Sequence, residues 1–286
     1  MKTAIITGAT SGIGLAAAKQ LCADGVRVIG IGRAQERCDA AREQILKTTP
    51  GADIRYLIAD LAQQAEVSAV AKEAADILEA ECGGRLDALI LNAGGVRNWY
   101  TTTAEGYETQ FALNHLSGFL LTARLLPLLQ AAQGRVILTG SGSHKHMRVH
   151  WKDVMYKKHY NCLMAYKQSK LCNMLFAAEL NRWYAPQVRA YVVDPGLVNT
   201  EIGQKQTSGL VAWFWSKRGR HGTPPEVPAR TYAHLVGAET PPEGLYFYNC
   251  AEAACSREAK SEPDAKRLFE LSNRLCGNCF KEGASK

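Results

Sequence analysis

Tyr166 and Lys170 stand four residues apart at the head of an apolar run through Leu171, Met174, Leu175, Phe176, Ala177 and Leu180. That spacing predicts an amphipathic helix. Residues i and i+4 share a helix face, so the phenol and the ammonium would sit one above the other. An ammonium beside a phenol favours phenolate and is expected to draw its pKa down from about 10. Such a tyrosine could pass a proton to or from an alcohol or ketone oxygen. The same spacing arises by chance as a surface lysine near a core tyrosine, so its meaning depends on what else the chain brings there.

The first such feature is a glycine-rich turn. Residues 3–7 form a short apolar run, Gly8-Ala9-Thr10-Ser11-Gly12-Ile13-Gly14 follows, and residues 15–22 continue as a predicted helix. A turn of this kind between strand and helix brings backbone N–H groups and a helix N-terminus to a phosphate. The second predicted strand, 26–31, runs into Gly32-Arg33. Dinucleotide folds that prefer NAD place an acid here for the ribose 2′-hydroxyl. An arginine suits a 2′-phosphate instead, by charge and by fork geometry. The bland alternative for Arg33 is a solvated turn residue.

Further predicted strands are 53–58, 86–91, 134–139, 187–193 and 244–248. Predicted helices cover 34–47, 63–81, 104–129, the Tyr166 run and 264–275, with another closed by Leu235. Short alternating strands and helices imply an α/β protein. The expectation is one doubly wound Rossmann domain over 1–286, with a seven-stranded parallel sheet, helices on both faces and a lid at 203–228. Polar residues fall after the strands, at Asp60-Leu61, Asn92-Ala93-Gly94, Ser141 and Ser143, and Asp194-Pro195-Gly196. Asn114 lies amid apolar residues of the 104–129 helix, where a buried amide needs partners.

His144, His146, His150 and His159 crowd a basic, aromatic insertion before the Tyr166 helix, with Asp153 the one nearby acid. The irregular spacing argues against a metal. Trp213-Phe214-Trp215 precedes Lys217, Arg218 and Arg220 in the lid. Three consecutive aromatics cannot all face one core from a helix or a strand. They are expected to wall a hydrophobic substrate or, alternatively, to touch a membrane surface.

With 286 residues, 47% hydrophobic and 21% charged, the chain is ordinary globular material. Its net charge of +7 is dispersed, which argues against nucleic-acid binding. The nine cysteines form no disulfide pattern and fit free thiols in the cytoplasm. Cys276-Gly-Asn-Cys279 stands alone, without the further ligands zinc needs. No signal peptide or transit peptide fits the start, and no uninterrupted apolar run is long enough to cross a membrane.

In order, Thr7-Gly8-x-x-x-Gly12-x-Gly14, Asp60, Asn92-Ala93-Gly94, Asn114, Ser141, Tyr166-x-x-x-Lys170 and Pro195-Gly196-x-Val198-x-Thr200 resemble the short-chain dehydrogenase/reductase family over nearly the whole chain. Within it the chain looks most like the retinol dehydrogenase, WW-domain oxidoreductase and protochlorophyllide reductase group. Phe111-Ala-Leu-Asn114-His-Leu116, Ala165 through Asn173, the insertion before Tyr166 and the C-terminal stretch carry that likeness. The departures are the lack of an N-terminal anchor or WW module, Leu197 where protochlorophyllide reductases have a cysteine, and Gly140 in place of a frequent serine.

The resemblance implies hydride transfer between NADP(H) and an alcohol or carbonyl, with NAD less suited. Tyr166 would be the acid/base and Lys170 would hold the nicotinamide ribose and depress the tyrosine pKa. Ser141 would bond the substrate oxygen, and Asn114 would hold a water linking Lys170 to solvent. Gly8, Thr10, Ser11, Gly12, Ile13, Gly14, Arg33, Asp60, Leu61, Asn92, Ala93, Gly94, Pro195, Gly196, Val198 and Thr200 would contact the cofactor. Ser143, Trp213 and Trp215 would face a small hydrophobic carbonyl or alcohol substrate, in a monomer or homodimer. The rival reading is a silent NADPH-binding regulatory protein of the same fold, since fold alone does not fix function.

Overall fold

The computed structural model describes residues 1–199 and 222–281. Every strand among them joins one sheet, in the order β3-β2-β1-β4-β5-β6-β7-β8. The parallel strands are β1 (Thr3–Thr7), β2 (Arg27–Gly32), β3 (Ile54–Ile58), β4 (Ala88–Leu91), β5 (Arg135–Thr139), β6 (Arg189–Val193) and β7 (Tyr246–Tyr248). The expected seven strands gain an eighth. Asn249 and Cys250 turn the chain at positive φ, and β8 (Ala251–Glu252) pairs antiparallel with β7. This edge strand is two exposed residues long, so no apolar pattern announces it.

Successive strand residues face opposite sides of the sheet, and the core divides accordingly. Ile5, Ile29, Ile31, Leu89, Leu91, Val136, Leu138 and Val192 join one cluster, with α3 (Gln64–Cys82), α4 (Thr109–Ala132), α5 (Cys162–Tyr184) and α7 (Glu262–Leu275). Ala4, Ile6, Val28, Ala88, Ile90, Ile137, Tyr191 and Val193 join the other, with α1 (Gly12–Ala23), α2 (Gln35–Thr48) and α6 (Glu226–Gly237). Both faces are covered, which is why the strands read as apolar runs.

Two expectations shift. The helix predicted from 104 begins at Thr109, because Gly106 turns the chain at φ +84 and Glu108 caps the helix from Gln110 and Phe111 N–H. The run Thr109–Ala132 is long and apolar enough to cross a membrane, but most of it is buried here as a core helix. The expected lid, 203–228, lies outside the described residues up to 221. Its last residues enter α6, and Pro228 is buried. Thr223 pairs with Val198 in parallel, and Asn199 N–H donates to Thr223 O at 3.0 Å. The two chain ends that flank residues 200–221 are therefore tied side by side beyond β6.

Candidate active site

Strand order reverses between β1 and β4, and a crevice for a dinucleotide opens at the carboxyl ends there. Thr7 ends β1. Its hydroxyl accepts from Asn92 N–H and Ala93 N–H, both at 2.9 Å, and so fixes the loop after β4. Asn92 Nδ2 donates back to Thr7 O at 3.2 Å. Gly8 follows at φ +67, where a Cβ would come 3.1 Å from Ala93 Cα. A Cβ on Gly14 would lie 2.3 Å from Gly8 O and 2.5 Å from Asn92 Nδ2. The turn is thus closed to any side chain at Gly14, and α1 starts flush against it with Ser11 as N-cap.

Arg33 is exposed just beyond β2. Ala59 N–H donates to Gly32 O at 2.9 Å, which joins the ends of β2 and β3 beside it. Asp60 is half-buried with Oδ1 accepting from Ala62 N–H at 3.2 Å, and Leu61 is buried.

On the other side of the crevice, α4 changes pitch. Ala112–Leu116 is π-helical, and Ser117 N–H reaches back to Ala112 O. A π-turn of this kind re-aims a side chain without ending the helix. Here it brings Asn114 to the loop after β4, where Nδ2 donates to Gly95 O at 3.1 Å and Oδ1 accepts from Gly95 N–H at 2.8 Å. Nδ2 also donates to Ser169 Oγ at 3.0 Å. The buried side-chain amide is thus partnered by protein through both its Oδ1 and its Nδ2.

Lys170 is 3% exposed, and its Nζ donates to Thr139 O at 2.9 Å. The same ammonium lies 5.5 Å from the Tyr166 ring centroid. Burial lowers the Lys170 pKa to about 8, against a smaller pull upward from Asp194. Tyr166 is half-buried at the crevice and hydrogen-bonds Ser141. Its pKa does not fall as expected. Desolvation pushes it up to about 12, against the Ser141 bond, and the Asp194 charge adds to the rise. Spacing on a helix shows the lysine but not the loss of water.

Ser141 caps the short 3₁₀ turn Gly142–His144, accepting from Ser143 N–H at 3.2 Å. His144 holds the loop from behind. It is fully buried, its Nδ1 lies 2.7 Å from Ser141 O, and its Nε2 accepts from Ser256 N–H at 3.3 Å. That pairing fixes the neutral tautomer with the proton on Nδ1, and burial lowers the pKa. His146, His150 and His159 are exposed, unlike His144. Ser143 Oγ is buried without a hydrogen-bond partner among the described residues. Asp194 braces the next loop, accepting from Gly196 N–H at 2.9 Å and Tyr246 O–H at 2.5 Å. Pro195 and Val198 are half-buried, and Gly196 takes φ +69. Thr200, Trp213 and Trp215 lie outside the described residues.

The family model for short chain dehydrogenase matches residues 2–210. Retinol dehydrogenase 14 of Mus musculus is 33% identical over 296 residues, covering 96% of this chain and 86% of that protein. Retinol dehydrogenase 13 of Homo sapiens is 35% identical over 291 residues, covering 96% and 85%.

This chain belongs to the short-chain dehydrogenase family.

A short-chain dehydrogenase is an oxidoreductase that works with a nicotinamide cofactor, and the crevice suits one. The turn that a Cβ would fill at Gly14 is a backbone cradle at a helix N-terminus. Among solved structures, an uncharacterised protein from Mycobacterium paratuberculosis has a TM-score of 0.75 at 27% identity, covering 97% of this chain and 94% of its own. An alcohol dehydrogenase from Thermococcus sibiricus, solved with 5-hydroxy-NADP, has a TM-score of 0.66 at 20% identity, covering 89% and 99%, and shares the fold.

Thr7, Thr139, His144, Ser169 and Asp194 escaped the sequence reading as site residues. A threonine or aspartate at a strand end was visible there, but its partner, distant in sequence, was not.

Proposed function

We propose that this chain is an NADP(H)-dependent oxidoreductase that interconverts a lipophilic or aromatic alcohol and its ketone or aldehyde. The observation that carries the reading is the convergence of Tyr166, Lys170 and Ser141 at the crevice mouth. Lys170 Nζ is pinned to Thr139 O, beneath a tyrosine bonded to Ser141.

The turn from Gly8 to Gly14, with Thr10, Ser11, Gly12 and Ile13, would hold the pyrophosphate. Arg33 would meet the 2′-phosphate, and Asp60 and Leu61 the adenine. Asn92, Ala93, Gly94, Pro195, Gly196 and Val198 would line the nicotinamide end, with Thr200 beyond. The bound nicotinamide supplies the hydride.

The protein's own part is proton transfer and charge stabilisation. With its pKa near 12, Tyr166 is protonated at neutral pH and ready to give its proton to a carbonyl oxygen. Ser141 shares that oxygen's developing charge. In the reverse direction the phenol must first lose its proton. The Lys170 ammonium, mostly charged below pH 8, stabilises the phenolate that results. Because the Asn114 side chain is committed to Gly95 and Ser169, a relay water would rest on its main-chain carbonyl.

An apolar substrate is supported by the half-buried Leu163 one helical turn before Tyr166, by Met164 at 38% exposure, and by Leu197 beyond β6 at 36%. Relatives named retinol dehydrogenases point the same way. Trp213 and Trp215 would complete the apolar wall as part of a lid. The cysteines described as free thiols accord with a reducing compartment such as the cytoplasm.

Tyr166→Phe tests the reading with a panel of retinoids, steroids and aromatic aldehydes. Turnover should fall by about 10²–10⁴-fold while NADPH binding holds. A variant within tenfold of the parent sinks the tyrosine assignment. A parent that binds NADPH and turns over nothing favours the silent regulatory protein.

A further inference from the structure

The strongest group outside the crevice is the pair of thiols at the end of α7. Cys276 caps that helix and is 5% exposed, and Cys279 is half-buried three residues on. The turn between them is bound at both ends. Asn278 N–H donates to Asn273 O at 2.7 Å, and Gly277 and Asn278 take φ of +70 and +56. The Asn273 side chain closes the loop, donating to Phe280 O at 2.9 Å and accepting from Phe280 N–H at 2.8 Å. Phe280 is buried against Phe119 and Phe269, with centroids 4.9 Å away in each case. The two thiols therefore flank one closed turn, with Cys276 Sγ donating to Leu116 O at 3.9 Å and Cys279 Sγ to Asn273 Oδ1 at 3.7 Å.

Their surroundings differ. Cys276 Sγ sits under Leu116 O at 3.9 Å and accepts from Gln64 Nε2 at 3.5 Å. Its thiol is raised by the neighbouring Cys279 and by burial. The Cys279 thiol is lowered by its Cys276 neighbour, aided by the Phe280 N–H and the Arg124 charge. Cys279 is also the more exposed of the two, and access together with thiolate character sets which sulfur attacks.

We infer that Cys276 and Cys279 form a dithiol site that a hydroperoxide converts into an intramolecular disulfide, with Cys279 attacking first. The Cys279 thiolate attacks the peroxide, the O–O bond breaks, and the products are a sulfenic acid and an alkoxide that leaves as the alcohol. The Cys276 sulfur then attacks the Cys279 sulfur. An S–S bond forms, the S–O bond breaks, and the Cys276 proton leaves with the hydroxyl as water. The two thiols lose two electrons, and the peroxide gains them. Because the turn between the two cysteines is already closed by its own hydrogen bonds, the S–S bond forms across a loop that is folded beforehand. It removes the hydrogen that Cys276 offers to Leu116 O, at the end of the π-turn carrying Asn114.

The test uses the full reduced chain treated with tert-butyl hydroperoxide, alkylated, and mapped by peptide mass. A Cys276–Cys279 disulfide reversed by dithiothreitol is expected, formed faster than oxidation at any other cysteine. In Cys276→Ser, dimedone should trap a sulfenic acid at Cys279. In Cys279→Ser, Cys276 should stay unlabelled. The proposal is overturned if both thiols of the parent still alkylate fully after treatment, if disulfides join separate chains, or if Cys276 takes the dimedone in Cys279→Ser.

Discussion

The two sides of the crevice are built on opposite terms. Around β1 and β2 the structure works by leaving atoms out: Gly8 and Gly14 let two loops meet, and Arg33 waits in solvent. Around β4, β5 and α5 it works by packing polar groups in: Asn114, Lys170, Ser169 and His144 are buried and partnered. One side fails when a methyl is added, the other when a partner is removed. Substitutions on the two sides should therefore separate into loss of binding and loss of turnover.

The largest effect is expected at Lys170. Lys170→Met keeps the stem but removes the ammonium, and turnover should fall by about 10²–10³-fold, as when a preorganised electrostatic group is lost. In the parent, turnover should fall as pH rises through about 8, where the lysine loses its charge. Stability should move the other way. The folded-state pKa is lowered from 10.5, so burying the charged form costs most below pH 8. Between about 8 and 10.5 the unfolded chain binds a proton that the folded chain does not, and this cost fades as pH rises. Lys170→Met should thus be more stable than the parent at pH 7, by up to about 3 kcal/mol, and closer to it at pH 10. Denaturant titration at the two pH values checks the sign, and an equal difference at both would remove the burial argument.

On the opposite side, Gly14→Ala should cost about 100-fold or more in NADPH affinity, because both atoms met by the new Cβ belong to fixed groups. Fluorescence titration with NADPH measures it. Affinity within threefold of the parent would mean that the turn can open freely. Arg33→Ala should be milder and selective. A charge-assisted bond contributes about 1.5–3 kcal/mol, so NADPH affinity should drop about one to two decades while NADH affinity holds. Equal losses for both cofactors would remove Arg33 from 2′-phosphate recognition.

This contrast also marks what was legible in the sequence. The glycine turn is local, written in consecutive residues between a strand and a helix, and it stands where expected. The Tyr166–Lys170 spacing is local too, and the pair does share a helix face. The partners of buried groups are not local: Asn114 finds Ser169 and Gly95, and His144 finds Ser256. The π-turn was invisible because its residues have the apolar pattern of any core helix. The rise of the Tyr166 pKa was missed for a related reason, since desolvation is a property of the assembled crevice. Strand β8 is two exposed residues paired through a turn, and no periodicity can signal that.

Ser143 tests the comparison most finely. It sits on the side that buries polar groups, yet its hydroxyl has no partner among the described residues. A buried hydroxyl without a hydrogen bond costs about 1–3 kcal/mol of desolvation. If Ser143 served only the fold, that cost would be uncompensated, and Ser143→Ala would stabilise the protein with no effect on kinetics. If it faces substrate, as the family resemblance implies, the missing partner arrives with the ligand. Ser143→Ala should then leave the free protein as stable as before or slightly more so. It should raise KM by about three- to tenfold, the scale of one neutral hydrogen bond, with kcat nearly unchanged. Thermal melts of the free variant beside steady-state kinetics read the two quantities separately. A raised melting temperature with unchanged KM would leave the Ser143 hydroxyl with no part in substrate binding, and the polar side of the crevice would then end at Ser141.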